Sequence, residues 1–390
     1  MKKNTTTLSD IIEKMHSKQS GKLEAKLPYW ADIKGIQLPQ AVSLQQASSQ
    51  KCAERKVRLL KDCLEDFSSI IDLTGGFGAD SWAFSSLFDK VHYFEQSAQL
   101  CDMARHNFHL LSAHAGRRCN IEVNNLTIDA DAVEIMAGLK PDCVFIDPAR
   151  RDRTGGKVFR LEDCTPNVVK LVPAIAGISP FLLMKLSPMI SIQLVKDSLN
   201  DLVQGYKVLS IGLLGLGGEV KEMLVLMGSD EITPRKDIPS LFIDKCDAEN
   251  GFMDVSEVPE ALYTSSIDVK YLYEPDALLK KANAHALICT GSGIRKIGPD
   301  VHLYIGDSIL DDALQVHFKT FRILEVLPFG KNAITNLGKK YPKAEVTSNA
   351  LPLSSEELRS RLKVKDGPES VHIFAFSSPL GRYFIVGQRL

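Results

Sequence analysis

Asp72-Leu73-Thr74-Gly75-Gly76-Phe77-Gly78-Ala79-Asp80 sets three glycines between a short apolar run and a stretch with helical periodicity. Glycines at a strand-to-helix turn let a ligand approach the main chain, and the N–H groups that open the helix then face it. Glu95 closes the next apolar run, 23 residues after Asp72, where a carboxylate can accept hydrogen bonds from both hydroxyls of a ribose. This combination predicts a site for a nucleotide-like molecule, with Asp72, Thr74, Gly75, Gly76, Phe77, Gly78, Asp80 and Glu95 as its candidate residues. A second constellation, Asp147-Pro148-Ala149-Arg150, follows the fourth apolar run. Its Arg150 guanidinium could stack on a base or clamp a phosphate. Arg151, Arg153 and Lys157 continue the basic stretch around Phe159, a loop suited to gripping a substrate backbone and stacking on a ring. Lys185 and Ser187 close the fifth run. A lysine inside an apolar strand is costly unless paired, which makes Lys185 a candidate rim residue.

The elements that must position these groups follow from periodicity. Apolar runs at 69–73, 90–94, 119–123, 142–146, 180–186 and 205–212 are separated by helical stretches such as 97–112, 131–138, 161–176 and 189–201. That is a βαβ series, hence an α/β, doubly wound parallel sheet whose active site lies at the carboxyl ends of the strands. Lys207–Leu214, a glycine-rich turn and Met223–Met227 read as a hairpin that adds one antiparallel strand. The first sixty residues read as helical, with N-cap candidates at 7–10 and a second helix from Ser43 to about Asp66. Residues 230–260, rich in Pro and Asp, read as a connection. Beyond it, 270–330 mixes one helix (Pro275–His285) with strands, and 331–390 reads helix, strand, helix, strand, strand.

At 390 residues, 44% hydrophobic and 24% charged, the chain has room for two to four domains and is neither disordered nor collagenous. The longest apolar run, Leu171–Leu186, is interrupted by two prolines, a glycine and a lysine, so no membrane span is expected. The first ten residues lack the apolar core of a signal peptide, and a cytoplasmic protein is expected. Eight scattered cysteines form no C-x-x-C pair, which argues against a metal site and against a disulfide framework. The net charge of −1 hides an asymmetry: residues 1–60 carry 11 basic against 5 acidic residues, 61–319 carry 25 against 37, and 320–390 carry 11 against 6. Basic ends around an acidic body suit a polyanionic partner.

Two cofactor types use such a glycine turn. The dinucleotide fingerprint G-x-G-x-x-G requires a third glycine where Ser81 stands, and Asp72 at the strand tip would repel a pyrophosphate. The same carboxylate can face the cationic end of S-adenosylmethionine (SAM), which favours SAM over NAD.

The residues also resemble a known family, the bacterial class I SAM-dependent methyltransferases with a C-terminal THUMP-like domain. The resemblance rests on Leu27-Pro28-Tyr29-Trp30, on Gln46, Ser48, Ser49, Ala53 and Lys56, on Leu73–Asp80, Asp147–Asn167, Lys185–Met189, Glu219–Glu222 and Tyr271–Pro275. It implies a helical segment at 1–64, a Rossmann-like methyltransferase domain at 65–229, a linker and small α+β ferredoxin-like domain at 230–320, and a THUMP-like domain at 321–390. In the tail, Asn349 stands where the family's RNFPL-like element is expected to have its arginine. The Asp147 turn resembles methyltransferase motif IV, in which the carboxylate and a proline carbonyl accept the hydrogens of an exocyclic amine; Arg150 replaces the usual aromatic. By this resemblance Asp147, Pro148 and Arg150 are catalytic and the glycines admit the amino-acid end of SAM. Glu95 holds the ribose, Asp131 or Asp129 meets the adenine amine, and Lys56 or Ser49 contacts the cofactor carboxylate. Arg151, Arg153, Lys157, Phe159, Lys185 and Ser187 would bind substrate, structured RNA such as tRNA or rRNA. Cys164 could serve a pyrimidine-carbon reaction or be a buried thiol. The alternatives are an RNA-binding protein that has lost transfer, an NAD-linked oxidoreductase, and a methyltransferase for protein or small molecules.

Overall fold

A computed structural model of the chain describes residues 20–39, 41–150, 160–367 and 371–390. The chain divides into two compact units, Met1–Gly212 with Lys221–Ser240, and Leu213–Val220 with Leu241–Leu390.

The first unit is built on β1 (Ser69–Asp72), β2 (Lys90–Glu95), β3 (Ile121–Asn125), β4 (Cys143–Ile146), β5 (Phe181–Leu186) and the greater part of β6 (Tyr206–Leu216) and β7 (Glu219–Ser229), whose hairpin end Leu213–Val220 is counted with the second unit. They lie in the order β6-β7-β5-β4-β1-β2-β3. The pairs β1–β2, β1–β4, β2–β3 and β4–β5 are parallel, whereas β7 runs antiparallel to β5. This is the doubly wound sheet with one reversed strand. Central strands are covered on both faces, so β1, β4 and β5 are buried along their whole length; their sequences are mainly apolar, with Ser69 and Asp72 at the ends of β1 and Lys185 within β5. Helices α4 (Ala79–Phe84), α5 (Ala98–His114), α6 (Ala130–Ile135), α7 (Val168–Ala176) and α8 (Ile192–Leu199) fill the crossovers.

Two sequence readings change here. The single helix expected from Ser43 to Asp66 is two, α2 (Ala41–Gln46) and α3 (Gln50–Cys63), which follow the short α1 (Pro28–Ala31). Ser49 causes the break by capping α3, its hydroxyl accepting from the Cys52 N–H at 3.2 Å. The stretch 161–176 also divides: a 3-10 turn and a two-residue bridge, Ala149–Arg150 with Cys164–Thr165, precede α7, which Asn167 caps.

The helical segment is packed into the unit. Trp30 of α1 is buried with its ring 4.9 Å from Phe77 of the glycine turn, in a cluster with Leu23, Leu27, Leu44, Tyr93 and Phe108.

In the second unit β8 (Leu241–Lys245) and β9 (Phe252–Asp254) pair antiparallel within the stretch expected to be a connection. Leu241-Phe242-Ile243 is apolar enough to pair, and the Phe242 and Phe252 rings pack at 5.3 Å. The rest forms one seven-stranded sheet, β11 (Arg295–Gly298), β12 (Val301–Gly306), β10 (Tyr271–Pro275), β13 (Phe318–Pro328), β16 (Gly381–Arg389), β15 (Val371–Ser378) and β14 (Glu345–Asn349). Helices α9 (Ala277–Ala282), α10 (Asp312–His317), α11 (Lys331–Lys340) and α12 (Ser355–Leu362) accompany it. From 331 the observed order is helix, strand, helix, strand, strand, as expected. No described helix is long and apolar enough to cross a membrane.

Because Trp30 props the glycine turn through Phe77, Trp30→Ala should cost about 3–5 kcal/mol of stability in denaturant unfolding, and Trp30→Phe clearly less. Equal losses would mean that a ring at this position does not by itself support the turn.

Candidate active site

The parallel registers bring the carboxyl ends of four strands side by side. Asp72 pairs with Tyr93 on β2 and with Phe145 on β4, and Ile146 pairs with Met184 on β5. One residue further along, Asp147 and Lys185 therefore stand next to each other. The glycine turn is tied to both neighbours: the Gly75 N–H donates to the Phe94 carbonyl at 2.8 Å, and the Asp147 N–H donates to Thr74 Oγ1 at 2.6 Å. The two constellations that were distant in sequence are thus hydrogen-bonded to each other.

Each glycine has its own reason. A Cβ on Gly75 would lie 2.0 Å from the Tyr93 ring, whose hydroxyl donates to the Gly76 carbonyl at 2.6 Å. Gly78 has φ +92° and sits against Phe108, where a Cβ would lie at 2.6 Å. Gly75 and Gly78 are required by the protein's own packing; a Cβ on Gly76 would meet nothing nearer than 3.7 Å. Phe77, one of the cofactor candidates, turns its ring into the core against Trp30.

Glu95 reaches across the turn. One carboxylate oxygen accepts from the Gly76 N–H at 3.0 Å and the other from the Ser97 N–H at 2.8 Å, at the start of α5. Asp129 caps α6 by accepting from the Ala132 N–H at 2.9 Å, and Asp131 is exposed in the same first turn.

Asp72 is 1% exposed and bonded to the Ser81 hydroxyl at 2.5 Å and the Thr74 N–H at 3.0 Å. Burial pushes its carboxyl up to about 7, against the pull of these two donors, with Asp80 and Asp147 adding repulsion.

Behind this edge lies a buried charge network. Lys56 is fully enclosed and has three oxygen partners at 2.7 Å: Asp80 Oδ1, Glu222 Oε2 and Ser48 Oγ. Lys185, its side chain 9% exposed, meets Asp147 Oδ2 at 2.5 Å, with Ser48 Oγ and the Gln46 carbonyl at 3.3 Å. Burial alone would lower both ammonium groups, but Asp80 and Glu222 around Lys56, and Asp147, Glu222 and Asp80 around Lys185, hold them above the ordinary lysine range. Asp80, buried yet flanked by Lys56 and Lys185, is held below the usual carboxylate range. Burial raises Asp147 despite Lys185 beside it; its side chain keeps 28% exposure at the site's edge. Lys26 lies nearby, donating to the Leu44 and Gln45 carbonyls, and burial next to Lys185 brings it down to about 8.

The network gives several candidates another employment. Lys56 was expected to touch a cofactor carboxylate; enclosed by three oxygens, it binds Asp80 and Glu222 instead. Ser49 is a helix cap, Asp80 is the carboxylate partner of Lys56, and Lys185 is held inward rather than on a rim. Ser187 accepts from the Met189 N–H at 3.3 Å. Cys164 is buried. Arg151, Arg153, Lys157 and Phe159 lie outside the described residues, as does the side chain of Arg150. Ser48, Glu222 and Lys26 were not singled out for the site, although the charged stretch Glu219–Glu222 directly before the apolar run Met223–Met227 was the available signal. Among the described residues no group of three His, Cys, Asp or Glu side chains is placed to hold a metal ion.

Comparison with known proteins covers both units. Residues 271–312 match a ferredoxin-like domain and residues 318–389 a THUMP domain-like family. No curated protein matches the chain. The crystal structure of a "putative methyltransferase" from Porphyromonas gingivalis W83 is 29% identical, covers 96% of this chain and 89% of its own, and superposes with a TM-score of 0.79. A "putative RNA methyltransferase" from Pyrococcus horikoshii is 12% identical over 53% of this chain and 98% of its own, with a TM-score of 0.35. The chain therefore has a methyltransferase-type α/β fold followed by ferredoxin-like and THUMP-like segments.

Asp72→Asn provides a test of the buried carboxyl. The folded state raises its pKa, so the native protein holds a proton that the unfolded chain releases above its ordinary value near 4. The resulting penalty is absent at low pH, grows as pH rises and is complete above about 7. The amide can keep both hydrogen bonds, to Thr74 and Ser81. Relative to wild type, the variant should gain stability between pH 5 and pH 8, by on the order of 2 kcal/mol or more. A pH-independent difference in unfolding free energy would show that Asp72 is ionised throughout.

Proposed function

We propose that the chain is a SAM-dependent methyltransferase acting on a nucleotide of structured RNA, tRNA or rRNA. The observation that carries this reading is the bond from the Asp147 N–H to Thr74 Oγ1, which fixes the Asp-Pro turn against the glycine turn. The likeness to the Porphyromonas gingivalis putative methyltransferase and the THUMP domain-like segment support the same class.

In this reading the turn around Gly76 receives the amino-acid end of SAM. Glu95 spends one lone pair per oxygen on the Gly76 and Ser97 N–H groups, which leaves acceptor capacity on both oxygens for the ribose hydroxyls. Asp131 or Asp129 takes the adenine amine, and the positive end of SAM draws Asp72 toward its ionised form. The nucleophile's lone pair attacks the sulfonium methyl in line; the C–S bonding pair stays on sulfur, giving S-adenosylhomocysteine. Asp147 orients the attacking group and accepts its hydrogen, and the Pro148 carbonyl is a second acceptor. Such a reaction depends chiefly on positioning. Arg150, Arg151, Arg153, Lys157, Phe159 and Ser187 remain the proposed substrate contacts. We take 65–229 as the transferring domain, 1–64 as its helical flank, and 230–320 and 321–390 as the appended domains.

A basic surface in the second unit supports an RNA partner. An isolated bridge pairing Lys343 with Lys365 sets two like charges side by side, and Lys339 in the last turn of α11, Arg361 in the last turn of α12 and Lys363 just after it are also exposed. Like charges in register repel unless an anion lies over them.

Two measurements test the proposal. Calorimetric titration should show SAM and S-adenosylhomocysteine binding in the micromolar range, weakened at least tenfold by Glu95→Ala; binding of NADH in their place would refute the cofactor assignment. For the partner, Lys343→Ala/Lys365→Ala should weaken binding of bulk tRNA and flatten the log–log salt dependence by about 1.5 to 2 units. An unchanged slope would remove this surface from the RNA contact.

A further inference from the structure

We propose that Ser48 is a positioning residue for the transfer step: it joins the two buried ion pairs and, through Lys185, fixes the place and charge of Asp147. The proposal rests on the methyltransferase reading and names a residue that acts without touching substrate or cofactor.

A serine hydroxyl offers one hydrogen and two lone pairs, and Ser48 uses all three. It donates to Asp80 Oδ2 at 2.7 Å and accepts from Lys56 at 2.7 Å and from Lys185 at 3.3 Å. The residue is buried in the link between α2 and α3, the link that Ser49 creates by capping α3. Around this hydroxyl meet α3 through Lys56, α4 through Asp80, β5 through Lys185, and β7 through Glu222 by way of Lys56. Asp147 is at the end of the chain of contacts and is the one member with an exposed edge.

Buried ion pairs of this kind are poor sources of stability, because desolvation offsets the Coulomb attraction. Their geometry is nevertheless strongly determined, since any displaced ammonium loses several oxygens at once. Lys185 has three partners, and two of them, Ser48 Oγ and the Gln46 carbonyl, come from the helical segment before the sheet. That segment therefore sets how Lys185 presents to Asp147. The charged groups facing Asp147 are Lys185 from β5, Lys56 from α3, Asp80 from α4 and Asp72 from β1.

Removing the hydroxyl has a directional consequence. In Ser48→Ala, Asp80 Oδ2 loses its donor, and Lys185, already attracted to Asp80, loses one acceptor. The ammonium then leans toward Asp80 and away from Asp147. The Asp147 carboxyl, left with burial and less compensating charge, holds its proton to higher pH.

The experiment follows the Asp147 carboxyl by ¹³C NMR titration in wild type, Ser48→Ala and Ser48→Thr, with SAM calorimetry and methyl transfer to bulk tRNA on the same samples. In Ser48→Ala the Asp147 midpoint should rise by about half a pH unit or more, SAM affinity should stay within twofold, and transfer should fall at least tenfold. Ser48→Thr, which keeps the hydroxyl, should restore the midpoint. An unmoved midpoint in Ser48→Ala overturns the proposal, whether or not SAM binds. So does a moved midpoint with transfer within twofold of wild type. Failure of wild type to bind SAM while the midpoint still moves would refute the methyltransferase reading and leave the Ser48–Asp147 coupling standing.

Discussion

Two ammonium groups and three carboxylates lie together at the tips of the central strands, and none of them could be there alone. An isolated charge of this kind would cost several kcal/mol to take out of water. Lys56, Lys185, Asp80, Glu222 and Asp147 each have an oppositely charged partner within 2.7 Å. Much of the first unit can be understood from this requirement. β7 must run antiparallel beside β5 to deliver Glu222, because Met223 pairs with Leu186 at the same edge as Lys185. The helical segment must break after Gln46 to send Ser48 inward.

The glycine turn depends on a second, purely steric constraint. Tyr93 fills the space that a side chain at Gly75 would need, and Phe108 does the same at Gly78. The turn is supported from beneath by aromatic rings on β2 and α5, and Trp30 packs on Phe77 from the helical segment. Its main-chain donors are therefore held in place by packing, while Glu95 already spans from Gly76 to Ser97. Preorganisation of this kind lowers the ordering cost that a bound molecule would otherwise meet.

The strands were legible for a physical reason: parallel strands covered on both faces become mainly apolar runs, and β1, β4 and β5 each begin within a residue of the expected place. The carboxyl-end location of Asp72, Glu95 and Asp147 followed from the same alternation. Lys56 could not be read in this way. Its partners Asp80 and Glu222 are far along the chain, and a lysine on a helix of strong amphipathic pattern looks the same whether its head reaches water, a ligand or a carboxylate. The helix break at Ser48–Ser49 was hidden for a related reason, since a serine pair interrupts helical periodicity only when its hydroxyls find partners. Strands β8 and β9 were missed because the prolines and aspartates around them carry a loop-like composition, although Leu241-Phe242-Ile243 supplies the pairing surface. Lys185 was the exception: its charge inside an apolar run announced a partner, and the partner proved to be Asp147.

Lys56 precedes the first strand of the sheet, and Glu222 belongs to β7, which is made more than 160 residues later. Ribosomes deliver the chain from the amino terminus, at about 5–20 residues per second. The helical segment, α4 and the glycine turn all emerge long before β7. Until residue 222 leaves the exit tunnel, Lys56 has Asp80 as its single carboxylate partner, and the cluster around it is incomplete. The charge network thus ties completion of the candidate site to the arrival of β7, so a chain that stops short of that strand would carry the glycine turn without the finished electrostatics behind it.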